Sequence, residues 1–181
     1  MAHQRVERVR SKIIYRGRVA TLSLDTFRMP GGEFLLRETI QHPPSVVILP
    51  VFEDGRILLI RQFRHAVGRF IYEIPAGTRE PKEPLLACAK RELIEETGYG
   101  ACRWHRICDF YPAPGISTER MALYVASGLF VPKKKLAMDE DEQITVRITP
   151  QRKVLRMVRN NEIIDAKSII GILWGLRRIV W

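Results

Sequence analysis

Apolar and polar positions alternate in short pieces from residue 11 to residue 40: KIIYRGRVATLSLDTF, then EFLLRETI, with Pro30-Gly31-Gly32 between them. Alternation broken by a Pro-Gly-Gly turn predicts antiparallel strands. After His42-Pro43-Pro44 the pattern changes to SVVILPVF, nearly all apolar and β-branched, as expected of a buried strand. Glu53-Asp54-Gly55 reads as a turn, and RILLIRQFR is expected to pair back on the preceding strand as a hairpin. RFIYEIPAG is a further strand that Pro75 and Gly77 bend at its end. CRWHRICDF and MALYVASGL are strands around the loop YPAPGISTE, whose two prolines and one glycine predict a rigid, exposed connection.

Helical spacing replaces alternation in three places. Leu85, Leu86, Ala87, Ala89, Lys90, Glu92 and Leu93 are good helix formers, Pro84 is tolerated in a first turn and Gly98 supplies a stop. Nearer the C-terminus, Val154, Leu155, Met157 and Val158 give one helix an apolar side. Ile169, Ile170, Ile172, Leu173 and Leu176 do the same for another. Both are expected to pack on the sheet, with Trp174 in the core.

Charge makes the first of these helices unusual. Glu92, Glu95 and Glu96 fall at i, i+3 and i+4, which gathers three carboxylates within about 6 Å on one face. Like charges that close repel, and each raises its neighbour's pKa. Arg91 offsets part of the repulsion but points about 100° away from Glu92 around the helix. A hard divalent cation suits the cluster better, because Mg²⁺ takes carboxylate oxygens, keeps several waters and also grips phosphates. Three glutamates alone are ordinarily a solvated face. The wider spacing is more specific: Gly77, Glu83, Arg91, Glu92, Glu95, Glu96 and Gly98 stand at set intervals, a chance match on the order of 10⁻⁸ per window.

This stretch, GTREPKEPLLACAKRELIEETGY, resembles the signature box of the Nudix hydrolases, Gx5Ex7REUxEExGU with U aliphatic, and departs from it only at Tyr99. Pro114 in a PG-x-S/T-T/S-E loop is similar to the ADP-ribose pyrophosphatase branch of that family. The resemblance implies an α/β fold, a Nudix α/β/α sandwich with a mixed central sheet, preceded by a small N-terminal antiparallel β-sheet. Residues 1–42 would form that sheet, serving dimerisation and substrate specificity, and 43–181 the hydrolase domain. The implied reaction is Mg²⁺- or Mn²⁺-dependent cleavage of ADP-ribose or a related nucleoside diphosphate sugar to a nucleoside monophosphate and a sugar phosphate. GDP-mannose is a rival substrate. Dinucleoside polyphosphate or capped-RNA hydrolysis, and ADP-ribose sensing without cleavage, are alternatives.

Roles are expected as follows. Glu92, Glu96 and the Ala76 carbonyl hold metal, while Glu95 binds through water or orders a second ion. Arg91 orients the carboxylates by pairing with Glu83 or Glu95. Arg64, at the end of its strand, could grip a phosphate with a bidentate guanidinium or, alternatively, form a surface ion pair. Arg37 and Glu73 are substrate contacts or, alternatively, an exposed cation and a cross-strand ion-pair partner. The resemblance makes an acid in the run Asp139-Glu140-Asp141-Glu142 the general base. Glu140 matches that place best and Glu142 matches a further metal contact, though the two are exchangeable.

Global composition narrows the setting. At 181 residues the chain is one domain's length, able to bury roughly 70% of its unfolded surface. A net charge of +10 would draw phosphorylated substrates, but the cations are scattered and only Lys133 to Lys135 form a run, so nucleic acid is not the expected partner. Three cysteines without metal-ligand spacing argue against disulfides and zinc. Cys88 reads as a packing residue. There is no apolar leader core and no membrane-length apolar run, which places the expected protein in the cytoplasm.

Overall fold

The computed structural model describes residues 5–133 and 144–179, and its contacts divide into two units.

The first unit comprises the chain up to Pro44 together with Tyr111–Arg120. It is a three-stranded antiparallel sheet of β1 (Glu7–Arg16), β2 (Thr21–Arg28) and β3 (Phe34–Gln41), with β2 central. The β2–β3 turn closes through the Met29 N–H, which donates to the Glu33 carbonyl at 2.8 Å. β1 begins earlier than the alternation indicates, because register shifts between Arg8 and Arg10 and between Ile13 and Tyr15 interrupt the period of two. All ten residues of this edge strand are exposed. On β2, Ser23 and Asp25 are buried. Asp25 accepts the Ser11 hydroxyl at 2.5 Å, the main reason its carboxyl lies below the usual range. The 111–120 loop joins β3 through the Ile40 N–H to the Ile116 carbonyl (2.8 Å) and the Thr118 N–H to the Ile40 carbonyl (3.0 Å).

The second unit comprises Ser45–Phe110 and Met121–Trp181. It contains β4 (Ser45–Val51), β5 (Arg56–Arg64), β6 (Arg69–Glu73), β7 (Ala76–Thr78), α1 (Leu85–Thr97), β8 (Gly100–Phe110), β9 (Met121–Phe130), β10 (Ile144–Pro150), α2 (Gln151–Arg159) and α3 (Ala166–Ile179). The sheet runs β10-β5-β4-β9-β8, with β6 added to β5 and β7 to β4. β4 and β9 are parallel while the other pairs are antiparallel, so the sheet is mixed. Alternate side chains of β4 serve different cores. Val46 and Ile48 pack with Cys88, Ala89 and Leu93 of α1. Val47, Leu49 and Val51 pack with Val154 and Met157 of α2 and with Ile172 and Leu176 of α3. The helices therefore cover both faces of a fully buried strand, which is the expected α/β/α sandwich.

Two expectations are corrected. The β4–β5 hairpin is confined to Val51 opposite Ile57 and the Phe52 N–H to Arg56 carbonyl bond beside it. Beyond that point β4 takes β7 and β9 as partners and β5 takes β6 and β10. Two strands apolar on both faces carry no pattern that says which of them pair. Trp174 is not core: it is 45% exposed and Leu173 46%. Ile172 and Leu176, at i and i+4, take the inward face of α3, and positions 173 and 174 rotate away from it.

Candidate active site

The site is built where β6 leaves the sheet and β7 rejoins it. β6 ends at Glu73, and β7 pairs with β4 through Ala76 opposite Val47 and Gly77 opposite Val46. Between them, Pro75 offers its carbonyl to the Ile48 N–H at 2.8 Å. The Ala76 N–H donates to Glu96 Oε2 at 3.1 Å. Gly77 lets the Glu92 carboxylate of α1 come this close, since a Cβ built there would lie 1.9 Å from the Glu92 carboxyl carbon and would push that side chain aside. α1 thus presses a carboxylate directly onto the backbone of residue 77. At its other end, Gly98 adopts a left-handed φ of 72° and returns its N–H to the Ile94 carbonyl.

Arg91 organises the acids. Its Nε donates to Glu83 Oε1 at 3.0 Å and its Nη1 to Glu95 Oε2 at 2.7 Å, with Glu92 Oε1 2.8 Å from Nη1. Its Nη2 reaches Glu83 Oε2 at 3.1 Å and the Thr78 carbonyl at 3.3 Å. A guanidinium is long and forked enough to span three carboxylates, including the neighbour that helical geometry alone points away from it. The bonds to Glu83 and then Glu95 raise the Arg91 pKa against the opposing effect of burial. The Arg91 bond in turn holds the Glu83 carboxyl below its usual range. Part of the charge compensation that the sequence assigns to a metal is therefore supplied by the protein itself.

Glu96 meets the backbone just before Gly77. It is only 3% exposed and faces the Ala76 backbone. Among the described residues no three His, Cys, Asp or Glu side chains converge on one metal position. Mg²⁺ does not need such a cage, because one or two carboxylates with water and substrate phosphate suffice. Glu92, against Gly77, and Glu96, at the Ala76 N–H, bring two carboxylates to the same stretch of backbone, and with the Ala76 carbonyl they would make a donor set that fits a hard divalent cation.

The remaining expected residues fall into three places. Arg64 and Glu73 form a bidentate pair, Nε to Oε1 and Nη2 to Oε2, each at 2.7 Å. Burial alone would raise the Glu73 carboxyl, but the Arg64 hydrogen bonds and the Lys167 charge outweigh it and hold it below the usual range. Arg37 belongs to the first unit, is exposed and donates to the neighbouring Leu36 carbonyl at 2.9 Å. Glu140 and Glu142 lie outside the described residues. Tyr99, the departure from the box, packs edge-on to Phe52 with ring centroids 5.7 Å apart. Cys88 is buried beside Arg91, and its thiol is pushed up to about 12, first by burial and then by Glu92, which suits packing rather than chemistry.

A cluster not anticipated from the sequence adjoins Glu73. Lys167 bonds both Glu73 and Asp165, and Ser168 accepts the Ile74 N–H. These residues lie more than ninety positions from Glu73 and Ile74. Their local signal, an aspartate beginning an apolar helix, reads only as a cap.

The spacing of the box and the geometry it adopts meet a direct comparison at this point: the NUDIX domain model matches residues 41–168. The chain belongs to the Nudix family. The ADP-ribose pyrophosphatase of Bacillus subtilis is 37% identical over 159 residues, 88% of this chain and 86% of that protein. The GDP-mannose pyrophosphatase of Salmonella paratyphi B is 34% identical over 121 residues, 63% of each chain. Among solved structures, one titled as a crystal structure of an ADP compounds hydrolase superposes with a TM-score of 0.87 at 21% identity, covering 99% of this chain and 96% of that one. That likeness bears on the Nudix fold. Nudix hydrolases generally use a divalent metal, consistent with the donor set above.

Proposed function

We infer that the protein is a Nudix pyrophosphohydrolase that cleaves the diphosphate bond of ADP-ribose or a related nucleoside diphosphate sugar, releasing a nucleoside monophosphate and a sugar phosphate. The observation that carries this reading is the set of glutamates braced by Arg91 and seated on Gly77, in a chain whose family is shown by its match over residues 41–168. The named relative in Bacillus subtilis supports ADP-ribose as first choice, and the shorter match to a GDP-mannose pyrophosphatase makes that sugar nucleotide the second.

In this reading Glu92, Glu96 and the Ala76 carbonyl hold Mg²⁺ or Mn²⁺, with Glu95 acting through water. The metal, when bound, neutralises diphosphate charge and acidifies or orients water. Arg91 keeps the carboxylates from repelling one another apart, and Gly77, Glu83 and Gly98 are the structural parts of the same box. Arg64, with Nε and Nη2 engaged by Glu73, presents its outer Nη1 to a phosphate. Glu140, or in exchange Glu142, takes the proton from the attacking water, and the water oxygen ends on the released phosphate.

Residues 1–42 are assigned to pairing and substrate selection, with Arg37 as a substrate contact, and 43–181 to catalysis. The exposed apolar side chains Val9, Ile13, Ile14, Tyr15, Phe34 and Leu36 of the first unit suit a homodimer. Three free cysteines suit a reducing cytoplasm. No described helix is long and apolar enough to cross a membrane.

The test is a panel of ADP-ribose, GDP-mannose, UDP-glucose, diadenosine polyphosphates and capped RNA, each with Mg²⁺ and with chelator, read by phosphorus NMR. AMP and ribose phosphate appearing fastest, and only with metal, is the expected result. Turnover of none of them would leave a sensor and remove the enzyme.

A further inference from the structure

Between Glu73 and Ala76 the backbone is outside the ladder, so its polar groups need partners elsewhere. Pro75 has no N–H. The Ile74 N–H crosses to α3 and donates to the Ser168 hydroxyl at 2.9 Å. That hydroxyl has a single proton, which goes to Asp165 Oδ2 at 2.5 Å. Asp165 is held in turn at the start of α3: its carboxylate accepts the Ser168 N–H at 3.0 Å and Lys167 Nζ at 2.9 Å, and its carbonyl accepts the Ile169 N–H at 3.0 Å. Lys167 also bonds Glu73, so α3 is tied to both residues that precede Pro75.

Packing brings the same two segments together independently. Gly171, one turn beyond Ser168, lies so near Ile74 that a Cβ there would sit 2.4 Å from Ile74 Cδ1. α3 therefore holds residue 74 by its N–H and by its side chain. Ser168 itself is fully buried. Two residues on from Ile74, the Ala76 N–H meets Glu96 and its carbonyl belongs to the donor set assigned above.

We propose that Ser168 is a positioning residue for the metal site, which sets the Pro75–Ala76 bend by holding the Ile74 N–H and thereby sets where the Ala76 carbonyl and the Glu96 carboxylate stand. The proposal rests on the reading of Glu96 and Ala76 as metal ligands. α3 then contributes to metal binding without supplying a ligand, as groups that orient ligands commonly do. Asp165 serves the same end by taking the Ser168 proton, which leaves a lone pair for the Ile74 N–H, and Lys167 bonds Asp165 in turn.

The experiment uses the full chain as wild type, Ser168→Ala and Ser168→Thr. Mn²⁺ affinity is measured on the substrate-free protein by EPR, amide exchange at Ile74 and Leu93 by NMR, and kcat and KM with ADP-ribose. Ser168→Ala is expected to weaken Mn²⁺ about tenfold and to lower kcat by a similar factor. KM should stay within about twofold. Exchange should quicken at Ile74 while Leu93, in the α1 core, stays protected. Ser168→Thr, which keeps the hydroxyl, should return metal affinity and Ile74 protection toward wild type. Unchanged Mn²⁺ affinity in Ser168→Ala, or a threonine variant that behaves like alanine, overturns the proposal. If the wild type fails to cleave ADP-ribose, the substrate reading fails, while the metal and exchange measurements still decide this one.

Discussion

Arg91 serves Glu83, Glu92 and Glu95 with one planar fork, and a lysine ammonium has neither the reach nor the geometry to do so. Arg91→Lys is expected to lose about 2 kcal/mol of unfolding free energy in urea, the scale of charge-assisted hydrogen bonds, and to lose activity with it. Glu96→Gln is different, because glutamine still offers an oxygen to the Ala76 N–H. Its circular dichroism and Tm should match wild type while turnover falls about 10²-fold or more; wild-type turnover would take Glu96 out of the site. Cys88, with its thiol at about 12, should resist iodoacetamide at pH 8 in the folded protein, and exposed Cys102 should be alkylated first. Glu73 sets a pH dependence. Its folded pKa is depressed, so its contribution to stability is complete above the ordinary glutamate value of 4.5 and is lost as pH falls through the lower folded value. Tm should be flat with respect to this group near neutrality and drop below about pH 4.5, with Glu73→Gln lacking that component of the drop.

At the level of helices and strands, the box helix was legible because its residues carry their own instructions. Pro84 and Gly98 bracket it, and the interval from Gly77 to Glu92 is the close approach seen in the structure. What could not be read was pairing between distant elements. RILLIRQFR is a strand as its pattern says, yet its partners are β6 and β10 rather than most of β4. Trp174 illustrates a second limit, since an almost wholly apolar helix gives no unambiguous inward face and the half-exposed tryptophan falls on the outward one. The same holds at the site. The pairing of Arg91 with Glu83 and Glu95 follows from nearness in sequence, whereas the hold of Lys167 on Glu73 is tertiary and gave no local mark. The register shifts in β1 likewise hid its first residues from a search for strict alternation. Gly98→Ala tests the bracket directly: forcing a side chain into φ 72° should cost about 1 kcal/mol of stability with little change in KM.

For the molecule as a whole, the exposed aliphatic and aromatic side chains on the first unit predict self-association. Light scattering at micromolar concentration should give twice the chain mass, and Leu36→Glu should return it toward one. The net charge of +10 predicts a kcat/KM for an anionic substrate that falls as salt rises, since steering weakens as the Debye length shortens. Comparing Glu140→Gln with Glu142→Gln separates the two candidate bases, the true one losing kcat with substrate affinity kept.

The parallel pairing of β4 with β9 also sets a schedule for biosynthesis. Ser45 finds its parallel neighbour only when Met121 has been made, and Val51 only when Ser127 has. The glutamate helix thus leaves the ribosome before β9, the strand that completes the surface beneath it, so the site's support is finished late in synthesis.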